Sequence, residues 1–265
     1  MLSNNKPMEE KLKAFERLLL IMDDLREKCP WDRKQTMDSL RHLTVEETYE
    51  LSDAIIENDL KGIKEEIGDL LLHMVFYSKI GDEKNAFNIA DVLNGICDKL
   101  VARHPHIYGN IKIEDEAEVL QNWEKLKLKE GKKSVLEGVP NSLPAMVKAF
   151  RVQDKVKQIG FEWDEADEAL DKVYEELDEL KNAVINQSQK EKEKELGDVL
   201  FSVINYARYL NIDAERALEL TNKKFIKRFQ WMETKAANDN KKLQDMTLAE
   251  MDVLWNKAKQ EITAE

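Results

Sequence analysis

Glycine (9) and proline (5) are scarce in the 265 residues, cysteine occurs twice, and no run of about 18 consecutive apolar residues is present. The shortage of glycine and proline, with no alternating strand pattern, favours long helices and an all-α chain. The missing apolar run speaks against a membrane span. The opening MLSNNKPMEEKLKAF lacks a basic stretch followed by an apolar one, so a signal peptide is not indicated either. Cys29 and Cys97 have no framework spacing, which suits a reducing compartment; a cytoplasmic location is expected. Positive side chains are outnumbered by negative ones, 41 to 53. The net charge of -12 repels nucleic-acid backbones and anionic membranes, so neither is an expected partner. An acidic protein that handles phosphates needs metal ions.

Charge of both signs is abundant. Charged residues make up 35%, against roughly 25% in an average soluble protein, as suits helices with solvated outer faces. The charges follow a repeat. With residues 11 to 130 placed over 143 to 262, CPWD (Trp31, Asp32) meets FEWD (Trp163, Asp164), EETYE (Glu46, Glu47, Glu50) meets EELDE (Glu175, Glu176, Glu179), and EIGD (Glu66, Asp69) meets ELGD (Glu195, Asp198). KLVAR (Lys99, Arg103) then meets KFIKR (Lys224, Arg228), and AEVLQNWEKLK meets AEMDVLWNKAK, setting Trp123 on Trp255. The interval from Glu50 to Glu66 and that from Glu179 to Glu195 are both 16 residues, whereas other intervals differ, so the acidic pair is the fixed core of the repeat.

Gly131, Gly138, Pro140 and Pro144 place a linker at 131–143, between domains at 1–130 and 144–265. Within each domain the period is helical. Ile67, Leu70, Leu71, Met74 and Val75 form one stripe, and Leu196, Val199, Leu200, Val203 and Ile204 reproduce it. A second stripe, Val173, Leu177, Leu180 and Val184, predicts a different face for Glu176 and Glu179. About five helices per domain are expected, four of them able to form a bundle.

Acids three residues apart on a helix project one turn apart, so Glu176 converges with Glu179 and Glu195 with Asp198. If the two helices lie antiparallel, four carboxylates meet, and such a cluster needs a counter-charge. Mg²⁺ takes oxygen ligands and is shared between carboxylates and substrate phosphates. A single Glu-x-x-Asp among 53 acidic residues is normally a solvated face; two such motifs repeated at one separation favour a metal site. Gly68 and Gly197, inside the acidic motifs, each cost a helix about 1 kcal/mol, which predicts a neighbouring helix close to the backbone there.

Lys224 with Arg228, and Lys99 with Arg103, either pair with nearby acids or, beside a metal cluster, clamp phosphate oxygens. Trp163 and Trp255 are core residues or the border of a nucleobase pocket. His104 and His106 flank Pro105 without a further ligand nearby, which argues against zinc. No Gly-rich phosphate loop, nucleophile elbow or Cys and His pairing in motif context occurs, so covalent catalysis is not expected.

The Glu-Glu-x-x-Glu and Glu-x-Gly-Asp motifs, CPWD, the linker SVLEGVPNSLPAM and GFEWDE together resemble the MazG family of nucleoside triphosphate pyrophosphohydrolases over almost the whole chain. The resemblance implies an all-α fold whose bundles are completed in a homodimer. It also implies Mg²⁺-dependent cleavage of NTPs and dNTPs between the α- and β-phosphates to NMP and pyrophosphate, with Mn²⁺ as a substitute ion. It maps metal ligands onto Glu176, Glu179, Glu195 and Asp198, and in the first half onto Glu47, Glu50, Glu66 and Asp69. Glu175 is the candidate for orienting or deprotonating the water, with Glu176 and Glu179 as alternatives, and Lys224 and Arg228 would hold the departing phosphates. House-cleaning of noncanonical nucleotides or control of nucleotide signals is the implied setting.

Against Asn205, two turns along one face from Asp198, the first half carries Phe76; against Asn222 it carries Cys97. Residues 144–265 are therefore expected to be the main catalytic domain. A non-catalytic nucleotide or metal sensor, in which ligand tightens a helical dimer, is the alternative, and a plain helical scaffold a third.

Overall fold

The computed structural model describes residues 6–109 and 134–262, and all regular structure among them is helical. Trp123 and the start of the expected linker lie outside the described residues; 134–144 form turns without a helix. The chain divides into two compact units. No helix of the described residues is long and apolar enough to cross a membrane. Cys29 and Cys97 are free thiols.

The first unit contains α1 (Lys6–Lys28), a 3₁₀ turn (Asp32–Lys34), α2 (Met37–Ile56), α3 (Leu60–Glu83), α4 (Ile89–Arg103) and the single turn α5 (Pro105–Tyr108). Thr36 starts α2 with a reciprocal cap: its Oγ1 accepts from Ser39 N at 3.1 Å and its N–H donates to Ser39 Oγ at 2.9 Å. Asn58, in the left-handed region at φ 55°, turns the chain, and Asp59 caps α3 by accepting from Lys61 N at 3.0 Å. With three residues between them, α2 and α3 pack side by side along their lengths. That hairpin brings the two acidic motifs together. Met22, Leu40, Val75, Phe76 and Ile80 form the core, flanked by Leu18, Leu72 and Ile89. Arg26 fastens the far end: Nε and Nη2 reach the two carboxylate oxygens of Glu83 at 2.8 and 2.5 Å, and Nη1 donates to the Asp32 and Gln35 carbonyls. Gly81 permits a close approach, since a Cβ there would lie 2.7 Å from the Phe87 carbonyl oxygen.

The second unit contains α6 (Ala145–Lys157), α7 (Ala166–Asn186), α8 (Gln189–Tyr209), α9 (Ala214–Asn238), a 3₁₀ turn (Leu243–Asp245) and α10 (Leu248–Ile262). Ser188 caps α8, its Oγ accepting from Glu191 N at 3.3 Å, and α7 and α8 form the counterpart hairpin. Ala169, Val173, Ala183, Val199 and Ile204 are buried, and a further cluster of Met232, Ala236, Leu254 and Ala258 joins α9 to α10.

Three expectations need correction. Only part of each long stripe faces its own unit: Val75, Val199 and Ile204 are buried, but Ile67, Leu71, Met74, Leu196, Leu200 and Val203 are exposed. Both α3 and α8 therefore carry an inner and an outer apolar face, and α4 buries no residue, so the bundles are open along one side. Glu176 shares the buried face of Ala169, Val173 and Ala183, and of the two acids only Glu179 faces outward. Finally, among the described residues no atom beyond the helix's own neighbouring backbone lies within 4 Å of a Cβ built on Gly68 or Gly197. Gly197 lies 200° around the helix from inward-facing Glu195, so it points away from the partner hairpin helix.

Candidate active site

The α7–α8 hairpin brings together Glu176, Glu179 and Glu195, one carboxylate oxygen from each lying within 4.8 Å of the other two. The α2–α3 hairpin does the same with Glu47, Glu66 and Asp69. Three of the four acids expected in each half are thus assembled, and the outlier differs. In the first unit it is Glu50, which is exposed yet close enough for its charge to act on Glu47. In the second it is Asp198, which reaches Lys194 Nζ at 3.7 Å.

The clusters balance their charge differently. Lys172 Nζ contacts Glu175 at 2.8 Å and Glu176 at 2.7 Å, and Lys194 Nζ contacts Glu195 at 3.0 Å. These acids push both lysines above their ordinary range, Glu175 most for Lys172 and Glu195 most for Lys194. At the repeat-equivalent positions the first half has Leu43 and Glu65. Its cluster instead raises the Glu47 carboxyl, first by burial, then by the charges of Asp69 and Glu50 and a hydrogen bond with Glu66. Glu179 is also raised, chiefly by Glu176. The lysines were overlooked because they sit among many others; comparing the two halves position by position distinguishes them.

One atom shows that the second cluster suits a cation. Glu195 is only 6% exposed, and its Oε2 is buried without a hydrogen-bond partner among the described residues. A buried carboxylate oxygen without a donor is costly. Hard carboxylate oxygens from two helices, one of them unsatisfied, are the donor set of an Mg²⁺-type ion.

Further along α8 lies a cavity of about 420 Å³, lined by Val152, Gln153, Phe161, Trp163, Phe201, Asn205 and Arg208 among others. Trp163 and Asn205 thus meet in one place. Trp255 does not join them; it packs on α9, its ring 5.0 Å from Phe225 and 5.8 Å from the Arg228 guanidinium. Lys224 is exposed on α9, and Asn222 there donates to Glu219 at 3.3 Å. Lys99 and Arg103 occupy α4. Gln153 and Arg208 were not anticipated: a lone Gln in RVQDKVK carries no motif, and only the packing of α6 on α8 reveals its position.

Two units, each with a helical hairpin presenting clustered carboxylates that could hold a metal ion, define a class of duplicated all-α proteins with paired acidic sites. The model of the MazG nucleotide pyrophosphohydrolase domain matches residues 35–108 and 165–232, and the chain belongs to this family. It is 38% identical over 261 residues to the nucleoside triphosphate pyrophosphohydrolase of Escherichia coli K12, covering 94% of this chain and 98% of that one. It is 41% identical over 257 residues to the nucleoside triphosphate pyrophosphohydrolase/pyrophosphatase MazG of Thermotoga maritima, covering 95% and 98%. A crystal structure of a mazG-related protein from Thermotoga maritima aligns with 43% of this chain and 98% of that one, at 27% identity and a TM-score of 0.39.

Proposed function

We propose that the chain is an Mg²⁺-dependent nucleoside triphosphate pyrophosphohydrolase that cleaves NTPs and dNTPs between the α- and β-phosphates to NMP and pyrophosphate. Residues 144–265, after a linker at 131–143, are its main catalytic domain. The observation that carries this is the unpartnered, buried Oε2 of Glu195 within the Glu176 and Glu179 cluster of a MazG-family chain. Glu176, Glu179, Glu195 and Asp198 hold Mg²⁺, or Mn²⁺ in its place. When bound, the ion supplies Lewis acidity at the α-phosphate and offsets charge on the departing pyrophosphate. Glu175 orients or deprotonates the attacking water; Lys172, 2.8 Å from it, holds its carboxylate in place. Lys224 and Arg228 bind the departing phosphates, Trp163 and Asn205 border the base, and Asn222 and Trp255 complete the substrate contacts from α9 and α10.

The first unit retains a second carboxylate set, Glu47, Glu50, Glu66 and Asp69, with Lys99 and Arg103, but Phe76 fills its core where the second unit has Asn205. It keeps a metal and serves the dimer. The exposed apolar rows of α3, α4, α8 and α9 support a homodimer in which partner helices close each bundle. Disposal of noncanonical nucleotides or control of nucleotide signals in the cytoplasm is the setting that fits.

The test is product analysis with each NTP and dNTP plus Mg²⁺. NMP and pyrophosphate are expected, with turnover abolished by Glu195→Gln and largely kept by Glu66→Gln. NDP and phosphate would refute the bond assignment, and stabilisation by nucleotide without turnover would make the protein a sensor.

A further inference from the structure

The cavity between α6 and α8 is lined by polar as well as aromatic side chains. Gln153 is 4% exposed. Its Nε2 donates to the Phe201 carbonyl at 2.8 Å, so the amide cannot flip without setting two oxygens face to face. Its Oε1 is therefore a fixed acceptor, buried and without a partner among the described residues. Across the cavity, Arg208, with a side chain 7% exposed, donates from Nη1 to Glu162 at 2.9 Å, and from Nε and Nη2 to Asn205 Oδ1 at 3.3 and 3.1 Å. With its oxygen engaged, Asn205 presents its amide N–H₂ as a donor.

Resting on the hydrolase reading above, we infer that this cavity receives the nucleobase and that Gln153 is a specificity-determining residue that accepts a hydrogen bond from a base N–H. Three observations converge on this. Phe161, Trp163 and Phe201 supply flat apolar surface for a heteroaromatic ring. A lone acceptor on one helix and a donor on the other match the edge of a base, where N–H and acceptor atoms stand side by side. Asn205 lies seven residues beyond Asp198 on one face of α8, ~10 Å along the axis, leaving room for a sugar between the base and phosphates held at the carboxylates. In the first unit, the equivalent of Asn205 is Phe76, 2% exposed in the core, and the equivalent of Gln153 is Ile21, so this recognition belongs to the second unit alone.

Binding a base without a donor leaves the Gln153 oxygen unsatisfied, and sites built around a hydrogen bond reject analogues that lack it. The experiment compares kcat/KM for ATP with purine riboside 5′-triphosphate, and for CTP with pyrimidin-2-one riboside 5′-triphosphate. Each analogue lacks only the amino group. In the wild type the amino-bearing nucleotide should be favoured by about tenfold or more, and Gln153→Leu should bring each ratio to within about twofold of one by lowering the natural substrate. Wild-type ratios already near one would overturn the role of Gln153 while leaving the hydrolysis intact, and they need no variant that might fail to fold. A well-folded Gln153→Leu that keeps the wild-type ratio would overturn it too. No turnover of any nucleotide by the wild type would remove the hydrolase reading and this inference together.

Discussion

Phe76 and Asn205 stand at the same position of the repeat, yet Phe76 is packed against Met22 and Leu40 while Asn205 lines a cavity of about 420 Å³. One side chain fills the space that the other leaves for a ligand. Asn205→Phe should therefore plug the second unit's cavity. We expect kcat/KM for NTPs to fall by more than about tenfold, mainly through KM, while loss of the acceptor for Arg208 lowers the melting temperature modestly. Steady-state kinetics alongside thermal unfolding check this; unchanged KM would separate the cavity from substrate binding. The reciprocal Phe76→Ala should cost about 3–5 kcal/mol of first-unit stability in urea unfolding.

Lys172 and Lys194 occupy the charge-balancing place that a divalent ion would take. Removing either by Lys→Ala should lower the melting temperature in EDTA, because Glu176 or Glu195 loses its counter-charge. It should also increase the stabilisation produced by Mg²⁺, since the lysine's positive charge opposes the ion's at the same carboxylates. The added Mg²⁺-induced rise should be about 2 °C or more beyond that of wild type in calorimetry. Equal rises would mean that the lysines do not oppose the ion at these carboxylates.

The acidic motifs and their common spacing were legible because a hairpin of two helices fixes the register of Glu176 against Glu195 through the interval between them. Helix type was legible from periodicity. The orientation of α8 was not, because Val199 and Ile204 on one side and Leu196, Leu200 and Val203 on the other are equally apolar, and period alone cannot tell a core from an outer face. The same ambiguity misplaced Glu176, and the cost of a helical glycine suggested a close neighbour at Gly197 that the described residues do not supply. Gln153 was illegible for a different reason: its significance lies in one unsatisfied oxygen, which exists only once α6 meets α8.

The clasp between Arg26 and Glu83 gives a pH-dependent prediction for the first unit. Hydrogen bonding to Arg26 holds the Glu83 carboxyl below its usual range against the opposing effect of burial. A depressed folded pKa means stability that is present above the unfolded value of about 4.3 and lost as pH falls through the folded one. Glu83→Gln should therefore destabilise the protein by about 1 kcal/mol or less at pH 7, solvent screening limiting a pair whose acid is 37% exposed. The difference from wild type should narrow as pH falls below about 4.3 and through the folded pKa. Urea unfolding at pH 7 and at a series of acidic pH values checks it; a gap that does not change with pH would assign the loss to packing.

Leu196, Leu200 and Val203 form an apolar row on the outer face of α8, and Phe225, Ile226 and Phe229 add to the exposed apolar surface of α9. Contiguous surface of this kind is normally covered, and a stable interface buries about 800 Å² on each partner. Leu200→Asp should convert a dimer to a monomer in sedimentation equilibrium without loss of helix by circular dichroism, because Leu200 contributes little to the core of its own protomer. Gly197 refines the test. It precedes Leu200 by one turn and a Cβ there would meet no other element among the described residues, so in an isolated protomer Gly197→Ala should strengthen the helix by about 1 kcal/mol. If a partner helix seats against that backbone, the added methyl group should instead weaken dimerisation. Tighter or unchanged association in Gly197→Ala would place the interface elsewhere, and a monomeric wild type would remove the dimer altogether.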